Sequence, residues 1–325
     1  MSNKGTEFQM TENMKPTGPL DPVAAQFAAF FETDPVWQGL TSRPAHETRA
    51  AIKSAAPPSA PRPVQHVEDF RIPVVGGDIG LRLYKPTQQP HAIIIWAHGG
   101  GFVIGSIEES DAYARALALA TGCAVVSVDY RLAPEHRFPV PLNDVISATL
   151  WVAHWRTTLA GSEVPLVLAG DSAGANLATV ATRKLHQAKA CAIAANILAY
   201  PCTETEQAPS LRWFDPPFLK AKEVLWFFDQ YLPDAAARTQ PDFAPSYAQN
   251  LDLLPPTLII TAEHDLMTAQ AQAYGRKLAA EGVDVNFREH AGMIHGFLTL
   301  EPFFAGAAGT AMDEINDFIK DAACN

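Results

Sequence analysis

Residues 164–178 read VPLVLAGDSAGANLA. A short apolar run rich in Val and Leu has the character of a buried strand, and an alanine-rich stretch with helical spacing follows at Ala175. Between them lies Gly170-Asp171-Ser172-Ala173-Gly174. A G-x-S-x-G pentapeptide is weak evidence alone, because ordinary composition yields roughly 0.1 chance matches in a chain of this length. Its setting between strand and helix makes it strong: a sharp turn there lifts the serine hydroxyl clear of the sheet. Larger side chains flanking the serine would collide with strand and helix, and Gly170 and Gly174 supply the room. Ser172 is therefore the candidate nucleophile. The competing reading, a tight turn with an incidental serine, does not account for the strand–turn–helix context.

Working outward, the same rhythm continues on both sides. Strand-like apolar runs fall at 92–97, 124–128, 164–169, 192–199, 257–261 and 283–287, and helical patterns at 110–120, 141–159, 175–188, 269–280 and 309–322. Alternation of this kind predicts a mostly parallel sheet with helices on both faces. Ahead of it, VQHVEDFRIPVVGGDIGLRLYKP carries two alternating strands around Gly76-Gly77-Asp78, a hairpin signal. Val23, Phe27, Phe30 and Phe31 recur at helical spacing, a second helix fits 45–56, and PPSAPRP at 57–63 reads as a linker. The interval from Pro201 to Pro256 has no strand candidate but holds Trp213, Phe214, Phe218, Trp226, Phe227, Phe228 and Tyr231. It is long for a crossover, which predicts an inserted helical cap; an ordinary pair of surface helices is the alternative. The domain expectation is an N-terminal cap segment and linker at 1–60, and a catalytic domain at 61–325 with a cap insertion at about 202–250.

The chemistry needs more than a serine. His98-Gly99-Gly100-Gly101 directly follows IIIWA, and glycines let backbone N–H groups approach a developing oxyanion. Gly99 and Gly100, with Ala173 after the nucleophile, are the expected donors. A phosphate-cradling loop is the alternative, but no P-loop lysine follows and the spacing fits no G-x-G-x-x-G. His98 is read as a brace for this loop. A serine hydroxyl also needs a base, and the order nucleophile–acid–histidine that accompanies this elbow leaves His290 and His295. His295, in the glycine-flanked GMIHGF, is preferred over His290. For the acid that orients the imidazole, Asp265 is preferred over Glu263, because it lies just past the strand PTLIITAEHD. Phe102, Trp213, Phe214 and Phe218 are candidate substrate-pocket residues. Asp129, Arg131, Glu135 and Arg137 are expected to pair among themselves and lock a loop beside the site.

Together HGGGFVIGS, VDYRLAPEHRFPVPLND, AGDSAGANLA and GMIHGF resemble the hormone-sensitive-lipase-like esterases, in their GDSAG-type branch. The resemblance runs from about Ala92 to the C-terminus. It implies the α/β-hydrolase fold, the Ser172–Asp265–His295 triad, an oxyanion loop, and a helical cap made from the N-terminal segment and the insert. It also implies carboxylester hydrolysis without a cofactor, usually on short acyl chains. The chain departs from the family's frequent D-P-L-R-D after the acid-bearing strand, reading Asp265-Leu266-Met267-Thr268-Ala269. Loss of the second acidic residue narrows the choice to Asp265.

Composition narrows the rest. The chain has 325 residues, 48% hydrophobic and 18% charged, enough apolar material for a large core. With 35 acidic against 24 basic residues the net charge is −11, which disfavours nucleic acid and anionic membrane surfaces as partners. Cys123, Cys191, Cys202 and Cys324 form no C-x-x-C pair, and they read as free thiols of a reducing, cytoplasmic compartment. No signal-peptide core or membrane-span-length apolar run appears. No H-E-x-x-H motif suggests a metal and no S-x-x-K suggests a β-lactamase. The expected ligand is a small-molecule ester, with no cofactor and no metal; a homodimer is compatible with the sequence. The alternatives are a deacetylase or peptidase of the same fold and a non-catalytic receptor, and the presence of His295 weighs against the receptor.

Overall fold

The computed structural model describes residues 16–55 and 61–323. Residues 56–60, which hold most of the expected linker, lie outside the described residues, as does Cys324. Three helices come first: α1 (Pro22–Thr33), α2 (Pro35–Gln38) and α3 (Ala45–Ala55). Asp21 starts α1 by accepting the N–H of Val23 at 2.8 Å, with Pro22 at the first helical position. The sheet then begins with the antiparallel pair β1 (His66–Val74) and β2 (Gly77–Lys85). It continues through β3 (Ile93–Ala97), α4 (Ile107–Thr121), β4 (Ala124–Asp129), α5 (Val140–Ala160), β5 (Leu166–Asp171), α6 (Ala173–Gln187) and β6 (Ala195–Ala199). Two helices, α7 (Ser210–Trp213) and α8 (Ala221–Tyr231), and three short 3-10 turns occupy the next interval. β7 (Thr257–His264), α9 (Met267–Ala280), β8 (Val285–Ile294) and α10 (Ala305–Ala323) complete the chain.

Among the described residues, eight strands form one sheet in the order β1-β2-β4-β3-β5-β6-β7-β8, parallel from β4 to β8. β3, β5 and β6 are wholly buried, as expected of strands covered on both faces. The order dictates where the helices go. The step from β3 to β4 runs one way along the sheet, and those from β4 to β5, β5 to β6 and β7 to β8 run the other way. Crossovers of one handedness must therefore put α4 on one face and α5, α6 and α9 on the other. α10 packs beside α4, while α9 is tied to α6 through the hydroxyls of Thr179 and Tyr274, 2.9 Å apart. The reversal lies between β4, β3 and β5, and the crevice beyond the carboxyl ends of such strands is where open α/β sheets bind ligands.

Two expectations are corrected. β8 runs to Ile294 rather than ending near Phe287, because its pairing with β7 extends past a bulge to His264 and Ile294. The charged block after β4 does not pair internally. Arg131 pairs with Asp144 of α5 at 2.6 Å and also donates to the carbonyls of Val75 and Gly76, and Glu135 pairs with Arg49 of α3. A buried carboxylate such as Asp144 takes the cation that can reach it, whatever the sequence distance.

Candidate active site

Ser172 occupies the turn between β5 and α6 with φ 53° and ψ −116°, a region that residues with a side chain rarely enter. Packing enforces it. A Cβ on Gly174 would lie 1.9 Å from the carbonyl oxygen of Ala97, so strand β3 and the start of α6 touch backbone to backbone. The serine N–H donates to the Ala199 carbonyl at 2.8 Å. Asn176, one turn into α6, donates to the carbonyls of Cys202 and Phe243 and so fastens the following segment to the elbow. The hydroxyl is left at the N-terminus of a 15-residue helix, where backbone N–H groups and the helix dipole favour negative charge.

Three loops from separate strand ends meet at this hydroxyl. His295, immediately after β8, places Nε2 3.0 Å from Ser172 Oγ. Its Nδ1 lies 2.7 Å from Oδ2 of Asp265, which follows β7. A neutral ring therefore donates from Nδ1 to the carboxylate and offers Nε2 as acceptor to the hydroxyl. Asp265 is held in turn by the N–H of Met267 at 3.0 Å, and its side chain is fully buried. The alternatives are committed elsewhere. His290 lies within β8 and meets Glu314 at 3.0 Å. Glu263 accepts the N–H groups of Thr17, Gly18 and Gly292. Burial acts to raise the Glu263 pKa, but these donors outweigh it and hold the carboxyl below its ordinary value.

The glycine loop differs from expectation at one position. The Gly99 N–H donates to Oδ1 of Asp171 at 2.8 Å, and Gly99 does not line the cavity above the serine. The amide assigned to an oxyanion is already spent on a carboxylate. Gly100, Gly101 and Ala173 do line that cavity, and among the described residues no hydrogen bond occupies the N–H of Gly100 or Gly101. His98 is stacked on Tyr130, with Nδ1 2.7 Å from the Gly99 carbonyl. Burial keeps it neutral, with its pKa lowered to about 4.

The cavity has a volume of about 220 Å³ and mainly apolar walls. Phe102 and Phe218 line it as expected. Phe214 does not; it is half-buried against the core. The side chain of Trp213 lies outside what is described. The sequence reading does not single out Trp37 of α2 or Leu219 and Val224 around α8; Phe227 and Phe228 it places in the aromatic insert without naming them as pocket residues. Trp37 stacks on Phe218 at 4.6 Å, and Phe27 and Phe31 of α1 meet the same ring edge-on. Helical spacing marks these residues as packing against something; it cannot say against what. Cys202 also lines the cavity, a free thiol whose pKa burial pushes up to about 12. Among the described residues no cluster of three or more His, Cys, Asp or Glu could hold a metal ion, and no helix is long and apolar enough to cross a membrane.

Residues 94–299 match a protein family described as alpha/beta hydrolase fold. The esterase LipI of Mycobacterium tuberculosis is 34% identical over 78% of this chain and 80% of its own. An ethyl acetate hydrolase of Pseudomonas putida is 32% identical over 69% of this chain and 73% of its own. A hyperthermophilic esterase from the archaeon Pyrobaculum calidifontis superposes with a TM-score of 0.84 at 32% identity, covering 93% of this chain and 98% of that one.

Proposed function

The chain belongs to the hormone-sensitive-lipase-like carboxylester hydrolases of the α/β-hydrolase fold, and from that membership we propose a mechanism and a substrate class for it. Ser172 attacks the ester carbonyl while His295 Nε2 takes its proton and Asp265 stabilises the resulting imidazolium. The observation that carries this reading is the continuous contact from Oγ to Nε2 at 3.0 Å and from Nδ1 to carboxylate at 2.7 Å, at the floor of an apolar cavity. The tetrahedral oxyanion is received by the N–H groups of Gly100, Gly101 and Ala173, at the N-terminus of α6. Collapse of that intermediate expels the alcohol, which leaves with the proton from His295. Water then enters by the same base and releases the acid.

The substrate class follows from the walls. α1–α3 and the interval carrying α7 and α8 act together as a cap, and their aromatic rings bound the cavity. Each methylene of an acyl chain gains about 0.8 kcal/mol on burial until the space is filled, after which further carbons clash or stay wet. We read the enzyme as a hydrolase of acetyl-to-hexanoyl-sized esters, acting in the cytoplasm without metal or cofactor.

The test combines variants with a substrate series. Ser172→Ala should lower kcat by several orders of magnitude in a folded protein; His295→Ala nearly as much; Asp265→Asn somewhat less. His290→Ala and Glu263→Gln are controls expected to retain kcat. Across 4-nitrophenyl esters, kcat/KM should peak at short chains and fall toward palmitate. Near-parental activity in Ser172→Ala would overturn the mechanism, and a rate still climbing at palmitate would overturn the substrate class.

A further inference from the structure

The residue before the nucleophile is a buried carboxylate without a cation. Asp171 ends β5, is 6% exposed, and among the described residues forms no ion pair with Lys or Arg. A charge in such a place is costly unless other groups need it there. Its two oxygens reach different loops. Oδ1 accepts the N–H of Gly99, at the start of the glycine loop after β3, at 2.8 Å. Oδ2 lies 3.5 Å from the hydroxyl of Thr299, one turn beyond His295, and that hydroxyl is also 3.4 Å from the Tyr200 hydroxyl. The fit against the glycine loop is close: a Cβ on Gly99 would stand 2.3 Å from Oδ2. Any other residue at position 99 would drive the two segments apart. Tyr130 braces the same loop by donating its hydroxyl proton to the His98 carbonyl at 2.7 Å.

We infer that Asp171 is a positioning residue that fixes the oxyanion loop at once to the nucleophile elbow and to the loop bearing His295. It acts on the amides of Gly100 and Gly101 by holding the N–H of their neighbour, and on the imidazole through Thr299. Its covalent attachment to Ser172 makes the three parts of the site share one anchor. The inference rests on the roles given above to Ser172, His295 and the glycine loop.

The experiment uses the full chain with three substitutions. Asp171→Ala removes both contacts. Asp171→Asn keeps an acceptor for the Gly99 N–H and presents an amide to Thr299. Thr299→Val leaves the Gly99 contact in place and removes the Thr299 hydroxyl, which approaches Asp171, the Gly296 carbonyl and the Tyr200 hydroxyl. In Asp171→Ala, kcat on a short-chain nitrophenyl ester should fall about 100-fold, the scale of a misplaced catalytic group, with KM changed less than about threefold. Asp171→Asn should recover most of that loss, and Thr299→Val should lie between. A trifluoromethyl ketone, which adds to the serine and forms an oxyanion, should lose affinity by the same factor as kcat/KM; the corresponding secondary alcohol, which cannot, should bind unchanged. Parental kcat and parental ketone affinity in Asp171→Ala would overturn the inference, as would a loss confined to KM or to melting temperature. If Asp171→Ala does not fold, the other two decide: parental values in both overturn it. Ser172→Ala is carried alongside, and activity remaining there would overturn the nucleophile assignment instead.

Discussion

At the scale of single residues, the site concentrates features that cost stability. Ser172 holds a strained backbone conformation, and Asp171 is a carboxylate with its pKa raised to about 6, chiefly by burial. The raised value sets a sign for stability. The unfolded chain titrates this group near ~3.9, so between about pH 4 and 6 the native state binds more protons than the unfolded one. Stability contributed by the protonated form is complete below that window and is lost as pH rises through it, by roughly 3 kcal/mol in all. Asp171→Asn, which cannot ionise, should therefore melt at a higher temperature than the parent at pH 8, with the gap closing by pH 4. Thermal melts of both proteins across that range check this; a variant that melts lower at pH 8 and equally at pH 4 would contradict it. His98 tilts the opposite way: buried and neutral, it disfavours the native state as pH falls below its unfolded value toward about 4. Chain order and local glycines point to Ser172, His295 and Asp265, and the fold brings these three side chains into contact. Gly99 is different: a string of three glycines does not reveal that a distant carboxylate takes the N–H of the first.

At the scale of elements, the loops at the strand ends bring Ser172, Asp265 and His295 together, and the helices around the cavity bound it. α8 illustrates the division. Phe227 lines the cavity, and its ring lies so close to Gly101 that a Cβ there would stand 2.2 Å from Cγ. The ring thus roofs the same loop that Asp171 anchors from below. Phe227→Ala should open the cavity above the glycine loop, shifting the best acyl chain of the ester series to longer lengths by two or more carbons. It should also cost about 3–5 kcal/mol of stability, as large-to-small changes in a core do. The kcat/KM profile and a denaturant melt read the two effects, and an unchanged acyl profile would remove Phe227 from the specificity wall. The N-terminal elements depend on Glu263, whose carboxylate gathers the N–H groups of Thr17, Gly18 and Gly292, and on Arg49 of α3, which donates to the carbonyls of Val103 and Ala133. Neither role is visible locally. Glu263 looked like a second candidate acid because it, too, stands at the end of β7.

At the scale of the whole molecule, the reversal of strand order at β4, β3 and β5 opens the crevice, and Trp37 of α2 with Phe218, Phe227 and Phe228 around α8 line the cavity there. A chain beginning at Arg62 keeps the sheet and the Ser172–His295–Asp265 contact but loses Trp37, Phe27 and Phe31. Phe218 would then face water. Such a protein should bind a hydrophobic dye that the parent excludes, and its KM for short esters should rise roughly tenfold, about 1.4 kcal/mol of lost contact. Parental KM and no dye binding would show that the N-terminal helices are not part of the substrate wall. What the sequence determined by itself is the alternation of strands and helices, the sharp turn at Ser172, and the succession of Ser172, Asp265 and His295 along the chain. Each is fixed by periodicity, by glycines at sterically closed positions, or by succession along the chain, all of which are local or ordinal. Only the tertiary structure decided which amides face the cavity, which backbone groups occupy Glu263 and which rings line the pocket. Those outcomes depend on contacts between segments tens to hundreds of residues apart, such as Gly99 with Asp171 and Trp37 with Phe218, and hydrogen bonding and burial choose partners by distance in space.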